Sequence, residues 1–316
     1  MSIRVTVVGL GLIGSSIGLS SKQSKTKFEV IGHDKDSEAA KRAFKAGCVD
    51  RTEWNLISAC SGADLIVLCI PMAGIAETLR AVAPTLKPGG VITDTAALKL
   101  PVLAWAREAL PDNTRFVGGH PVLSGQHAMT AEPSADLLSG AVYCLTPATN
   151  TPPDALQLVS AWVEAMGAVP YFLDAAEHDG LIAGLEQAPL LLATALQMVT
   201  GASPARRELM QLSGADFASM TQPVAGNAEN RVDLCIHNAT NLQRWLEALQ
   251  SRLAALCDYV GSQDRESLLR AFATAAAMRE EWSKKGVEGS TTDYSDFGMR
   301  QMLFGDNLRQ RKPGGE

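Results

Sequence analysis

The chain has 316 residues, of which 46 % are hydrophobic and 20 % charged, and a formal net charge of −6. One hydrophobic core rarely serves more than about 250–300 residues, so two domains are expected. The acidic balance gives no electrostatic reason for a nucleic-acid partner. Cys48, Cys60, Cys69, Cys144, Cys235 and Cys257 show neither a CxxC pair nor metal-ligand spacing, which predicts reduced thiols, no metal and a cytoplasmic location. The first residues enter a strand pattern at once, without the look of a secretory leader. The most apolar later stretch, 188–200, is 13 residues long and interrupted by Gln197. That is short of the ~20 residues a membrane span needs, so no membrane is expected.

In chain order, an apolar run over 5–8 leads straight into Gly9-Leu10-Gly11-Leu12-Ile13-Gly14 and a helix start rich in small residues. A second apolar run, 28–32, is closed by Asp34, twenty residues after Gly14. In this strand–turn–helix–strand–acid setting the GxGxxG spacing predicts a dinucleotide site. Gly9 permits the tight turn, Gly11 lets the backbone approach a pyrophosphate, and Gly14 lets helix and strand pack closely. Leu12 and Ile13 open a helix whose N–H groups and partial positive charge would face the phosphates. Asp34 would hydrogen-bond a ribose 2′-OH and repel a 2′-phosphate, which favours NAD over NADP.

Strand patterns follow at 65–70, 90–94, 115–118, 141–146 and 169–173, with helical patterns between most of them, such as 37–45 and 72–86. That alternation predicts an α/β, Rossmann-type doubly wound parallel sheet. Carboxyl ends of such strands face the ligand, which puts Ile70, Pro71 and Asp94 on the cofactor side and Lys99 just beyond. A short strand then delivers His120 in Gly118-Gly119-His120-Pro121. Past Asp174 strand signals stop. Leu242, Trp245, Leu246, Leu249, Leu253 and Leu256 mark one helical stripe. Gly261 is expected to close that helix and Asp264 to cap the next, running to about Trp282. The expected division is a nucleotide-binding domain over 1–173, a helical domain over 174–285 and an extended or partly disordered tail over 286–316.

GLGLIGSS, LIVLCIP, APTLKPGGVITDTAALK, FVGGHP and AEHDGLIAG, in this order, resemble the prephenate/arogenate dehydrogenase (TyrA) family over roughly residues 4–260. The most specific piece is TDxxxxK followed by GGHP. The resemblance implies a Rossmann N-domain and an all-α C-terminal dimerisation domain of the 6-phosphogluconate dehydrogenase type, hence a homodimer. It also implies NAD-linked oxidative decarboxylation of prephenate or arogenate, giving 4-hydroxyphenylpyruvate or tyrosine. The family's catalytic histidine maps onto His120. Hydride loss from a hydroxyl-bearing carbon requires the O–H proton to be shed, and a neutral imidazole suits that task near pH 7. Among the other histidines, His127 and His178 are the further candidates. His178, at the start of the helical domain, reads more as a cap or hinge contact, while His33 beside Asp34 and His237 in a late helix invite no catalytic role.

The substrate half departs from the family pattern. Ala97 stands where TDxxSxK has serine. The motif SHLPH reads Glu186-Gln187-Ala188-Pro189-Leu190 here, and the carboxylate-gripping arginine maps onto Gln222, with Asp233 and Asn238 retained. Glutamine cannot form a bidentate guanidinium–carboxylate pair. Lys99, Gln187 and Gln222 are the expected substrate contacts, Gln187 being turned towards the cleft by a kink at Pro189. Arg206, Arg207 and Arg231 are alternative cations, the first two reading as a solvated helix start. The other readings are a related dehydrogenase for a different small carboxylic acid, or a non-catalytic NAD-binding homologue.

Overall fold

The computed structural model describes residues 2–111, 115–123 and 132–288. One eight-stranded sheet contains β1 (Ile3–Val8), β2 (Phe28–His33), β3 (Arg51–Thr52), β4 (Leu65–Leu68), β5 (Val91–Asp94), β6 (Arg115–Val122), β7 (Val142–Pro147) and β8 (Val169–Phe172). Their order is β3-β2-β1-β4-β5-β6-β7-β8. Val5 pairs with Val30 on one side and Leu65 on the other, so strand order reverses between β1 and β4. Such a reversal opens a crevice beyond the carboxyl ends of the two strands, where Gly9 and Cys69 follow.

Two expectations need correction. The sheet is not parallel throughout, because β6 and β7 run antiparallel, with His120 opposite Cys144. That partner also lengthens β6, which continues through His120 to Val122 instead of stopping at residue 118. His120 therefore sits inside a paired strand and takes its rigidity from it. Conversely, β4 ends at Leu68, and Ile70 and Pro71 lie beyond it in half-exposed or exposed backbone. The two-residue β3 gave no sequence signal.

Helices α1 (Leu12–Gln23), α2 (Ser37–Lys45), α3 (Leu56–Cys60), α4 (Ile75–Val82), α5 (Leu100–Ala109) and α6 (Pro153–Ala165) connect the strands. Local chemistry sets their starts: Asp36 accepts from the Glu38 N–H at the head of α2, and Asn55 from the Ser58 N–H at that of α3, satisfying donors that a helix leaves unpaired. Val5, Val7, Val30, Leu65, Val67, Val117, Leu145 and Trp162 form the core around the sheet. The Trp162 indole N–H is satisfied by Ser21 Oγ at 3.2 Å, as a buried indole requires.

From Ala175 the chain is helical: α7 (Ala175–Ile182), a π turn over Ala183–Gln187, α8 (Ala188–Gly201), α9 (Arg206–Leu212), α10 (Ala215–Thr221), α11 (Ala228–His237), α12 (Ala239–Gly261) and α13 (Arg265–Glu288). Gly261 ends α12, and Asp264 accepts from the Ser267 N–H at the start of α13. α13 continues past Trp282 to Glu288, through the start of the segment expected as a tail; residues 289–316 lie outside the described residues.

The chain packs as two compact units. Among the described residues, one holds the sheet through Asp179 together with Glu229–His237, and the other holds Gly180–Ala228 and residues 238–288. The first turn of α7 belongs with the sheet because Asp179 accepts the N–H groups of Lys99 and Leu100. Within the second unit, Gly184 is closely covered: a Cβ there would lie 2.5 Å from the Trp245 ring, whose indole donates to Gly180 O at 3.2 Å.

Pro189 acts as expected on the helix, but the outcome is a π turn. Proline gives no N–H to the carbonyl four residues earlier, and the backbone adjusts over Ala183–Gln187, immediately before it. Because helix continues through that turn, the run Ala175–Gly201 is 27 residues long and, by length and composition, could cross a membrane. The 13-residue count from sequence stopped short of it. His178, Asp179 and Gln187 within this run are all buried.

Candidate active site

The nucleotide loop is built as its spacing requires. Gly9 has φ +96, open to glycine, and a Cβ there would lie 2.3 Å from Cys69 O. A Cβ at Gly14 would lie 1.9 Å from Gly9 O, so helix and turn touch backbone to backbone. At Gly11 a Cβ would meet nothing within 4 Å, which leaves open approach to the N-terminus of α1. No acidic residue occupies the first turn of α1, so its partial positive charge is not neutralised locally. Leu12 and Ile13 stay half-exposed there. Asp34 at the end of β2 accepts from the Leu10 N–H at 2.7 Å and the Asp36 N–H at 2.8 Å. The carboxylate is thereby held beside the glycine loop. His33 is occupied with Glu53 O at 2.9 Å. An open backbone cradle, an uncompensated helix end and an oriented acid fit a dinucleotide.

A second cluster surrounds His120, which is 6 % exposed. Its Nδ1 lies 3.0 Å from His178 Nε2, and His178 Nδ1 lies 2.8 Å from Asp179 Oδ1. The two rings meet edge-on at 82°, centroids 5.2 Å apart. Asp179 accepts from Lys99 N at 2.7 Å and Leu100 N at 2.9 Å. Burial first, then the neighbouring His178 ring and the Lys99 ammonium, holds the His120 imidazole well below its usual range. It is therefore neutral at physiological pH. His178 thus belongs to this cluster, and its expected role as a cap or hinge is corrected. Asp179 was missed, although the adjacent pair His178-Asp179 within AEHDG was the available signal.

Lys99 and Asp94 are placed differently from expectation. Both are 0 % exposed. Lys99 Nζ pairs with Asp94 Oδ2 and donates to Gly119 O at 2.6 Å. Asp94 also accepts from Ala96 N at 2.9 Å and Gly119 N at 3.0 Å. Desolvation lowers the Lys99 ammonium, and Asp94 opposes the shift. Fully enclosed groups have no surface for cofactor or substrate, so these two are struts under His120. The glycines of GGHP make room for them: a Cβ at Gly118 would lie 2.3 Å from Thr146 Oγ1 and 3.3 Å from Lys99 Cδ.

Gln187, expected to face the cleft, is 3 % exposed and its Oε1 accepts from Asn238 Nδ2 at 2.8 Å. The amide pair links the π turn to the start of α12, a structural tie. Gln222 is exposed in the short 3₁₀ turn Gln222–Val224. Arg206 and Arg207 are also exposed, Arg231 is half-buried, and His237 stacks edge-on against Trp105 at 5.3 Å. Glu186 in the π turn has its carboxyl pushed up to about 7 by desolvation, although part of the residue still faces solvent. His127 lies outside the described residues. Among the described residues no group of three His, Cys, Asp or Glu side chains is placed to hold a metal ion.

Residues 17–172 match the family profile described as prephenate dehydrogenase, nucleotide-binding domain, and 174–274 match prephenate dehydrogenase, dimerization domain. Curated relatives include prephenate dehydrogenase of Bacillus subtilis, 27 % identical over 89 % of this chain and 76 % of that protein. Cyclohexadienyl dehydrogenase of Zymomonas mobilis is 28 % identical over 87 % of this chain and 94 % of that one. Among solved structures, prephenate dehydrogenase from Aquifex aeolicus, in complex with hydroxyphenyl propionate and NAD+, superposes with a TM-score of 0.81 at 22 % identity. It covers 89 % of this chain and 98 % of that one. Synechocystis arogenate dehydrogenase gives 0.73 at 24 % identity, over 89 % and 100 % of the two chains. These superpositions show the shared fold. With consecutive profiles of one family over both its nucleotide-binding and its helical part, the chain belongs to the prephenate dehydrogenase family.

Proposed function

We propose that this protein is an NAD-dependent dehydrogenase that oxidises and decarboxylates prephenate or arogenate, with His120 as the base. The observation that carries the reading is His120: a buried, neutral imidazole on a rigid strand, within a chain that holds a dinucleotide loop. NAD, when bound, supplies the acceptor for the hydride leaving the ring carbon that bears the hydroxyl. Gly9, Gly11 and Gly14, with the start of α1, would hold its pyrophosphate, Asp34 its ribose, and Ile70 and Pro71 would flank it. His120 takes the hydroxyl proton as the carbonyl forms. The ring carboxylate leaves as CO₂, its electron pair enters the ring, and the proton returns to the resulting phenolate oxygen. The Aquifex relative holds NAD+ and a hydroxyphenyl acid, and the curated relatives act on cyclohexadienyl acids by name, which supports this chemistry.

A second reading, a dehydrogenase for a different small carboxylic acid, is favoured by one observation. By the resemblance, Gln222 takes the place of a carboxylate-gripping arginine, and the structure has Gln187 Oε1 accepting from Asn238 Nδ2. Losing a charge-assisted contact of that kind weakens binding by roughly 1.5–3 kcal/mol. NADH production by the purified protein, with prephenate and arogenate side by side, decides between the two. No turnover of either would reject the first reading.

The protein is further proposed to be a cytoplasmic homodimer joined through its helical unit, with no nucleic acid and no membrane as partner. Leu253, Val260, Leu269, Phe272, Met278 and Trp282 on α12 and α13 are each at least half exposed in the single chain. Several large apolar side chains exposed on two helices support an interface there, and two-fold closure is its commonest form.

A further inference from the structure

We infer that His178 and Asp179 are positioning residues that set the protonation pattern of His120, an arrangement that rests on the reading of His120 as base. The argument starts from Asp179, whose surroundings make it an acceptor at both oxygens. Oδ2 takes the Leu100 N–H, and Oδ1 takes the Lys99 N–H. A carboxylate oxygen can only accept, so His178 Nδ1, 2.8 Å from Oδ1, must donate. A neutral imidazole that donates through Nδ1 accepts through Nε2. The atom 3.0 Å from His178 Nε2 is His120 Nδ1, so His120 donates there and carries its basic lone pair on Nε2.

Three consequences follow from that order. First, His120 is held in the Nδ1–H tautomer, the form in which Nε2 can receive a proton. Second, its ring plane is fixed by a hydrogen bond as well as by strand pairing opposite Cys144. Third, when Nε2 takes the substrate proton, the new imidazolium keeps a polarised acceptor at Nδ1, with a carboxylate behind it. No proton has to travel along the chain for this to help, since charge stabilisation through an oriented imidazole suffices. The buried Lys99–Asp94 pair fits the same purpose: it supports Gly119, the residue before His120, from both its N–H and its carbonyl. Burial already disfavours the His120 cation, so a dedicated acceptor at Nδ1 has a cost to offset.

The test combines a spectrum with two variants. In the unaltered protein labelled with ¹⁵N-histidine, His120 should show a protonated Nδ1 and an unprotonated Nε2 near pH 7.5, and His178 the same pattern. Assignment uses the His120→Asn and His178→Leu spectra. His178→Leu should lower kcat on the order of 10²-fold, with KM and NAD affinity changed less than threefold. His178→Gln, whose Oε1 can still accept from His120, should recover at least tenfold of that loss. A proton on His120 Nε2 overturns the inference without any variant needing to fold. So does a His178→Leu enzyme within threefold of the wild-type kcat, or His178→Gln as impaired as His178→Leu. The base reading has its own control: if His120→Asn keeps turnover, that reading fails. If His120→Asn is inactive while His178→Leu is not, only the positioning role fails.

Discussion

The ammonium of Lys99 and the carboxylate of Asp94 meet inside the sheet unit with neither side chain reaching solvent. Such a pair is weak evidence for net stability, but breaking it leaves one charge buried alone, at about 3–5 kcal/mol. Lys99→Met should therefore lower the unfolding free energy by about that amount, read from urea melts. Lys99→Met combined with Asp94→Asn should regain part of it. A single variant within about 1 kcal/mol of wild type, well short of that penalty, would remove the pair from its structural role.

Cofactor choice turns on Asp34. Its carboxylate is held at the end of β2 by two backbone N–H groups and would repel a 2′-phosphate. NAD+ should bind at least about tenfold tighter than NADP+, and Asp34→Asn should narrow the ratio while still accepting from Leu10. Titration by intrinsic tryptophan fluorescence measures both. Equal affinities in the wild type would sink the assignment.

For the base, His120→Asn should lower kcat by ~10²–10⁴ and leave NAD+ affinity nearly unchanged. The measurement is steady-state NADH formation on whichever acid the wild type turns over. Because the imidazole is held well below its usual range by burial, wild-type kcat/KM should stay flat through pH 6.5 and decline only under more acidic conditions.

Glu186 carries a pH-dependent liability. Its folded carboxyl titrates at about 7, against an ordinary 4.5, so the folded state binds the proton more tightly than the unfolded chain. Stability linked to this group is full at low pH and falls as pH rises through that interval. Glu186→Gln should consequently raise Tm at pH 8.5 and give no gain at pH 4. A Tm difference that is the same at both values would show that desolvation of the carboxylate is not its origin.

Assembly is read from mass. Light scattering of the full chain at micromolar concentration should give twice the monomer mass. Phe272→Glu with Trp282→Glu, at two exposed positions of α13, should shift it towards the monomer. A wild-type mass that remains monomeric on concentration would refute the homodimer.

Much of this protein was determined locally and so was legible in the sequence. The glycine loop, the acid at Asp34, the capped α2 and α13 and the end of α12 depend on backbone sterics and on side chains a few residues apart. So does the effect of Pro189, a missing donor that must be accommodated nearby. What only the tertiary structure decided are contacts between residues far apart in the chain. His178 reads as a helix-start polar residue until folding brings its Nε2 to His120, 58 positions earlier. Lys99 and Asp94 read as strand-edge ligands until β6 and β7 close over them. The length of β6 depends on an antiparallel partner that the short strand pattern over 115–118 cannot announce. Gln187 reads as a substrate contact until Asn238 takes its oxygen. In each case burial decided the role, because a polar group removed from water must find a partner, and which partner it finds is a property of the fold.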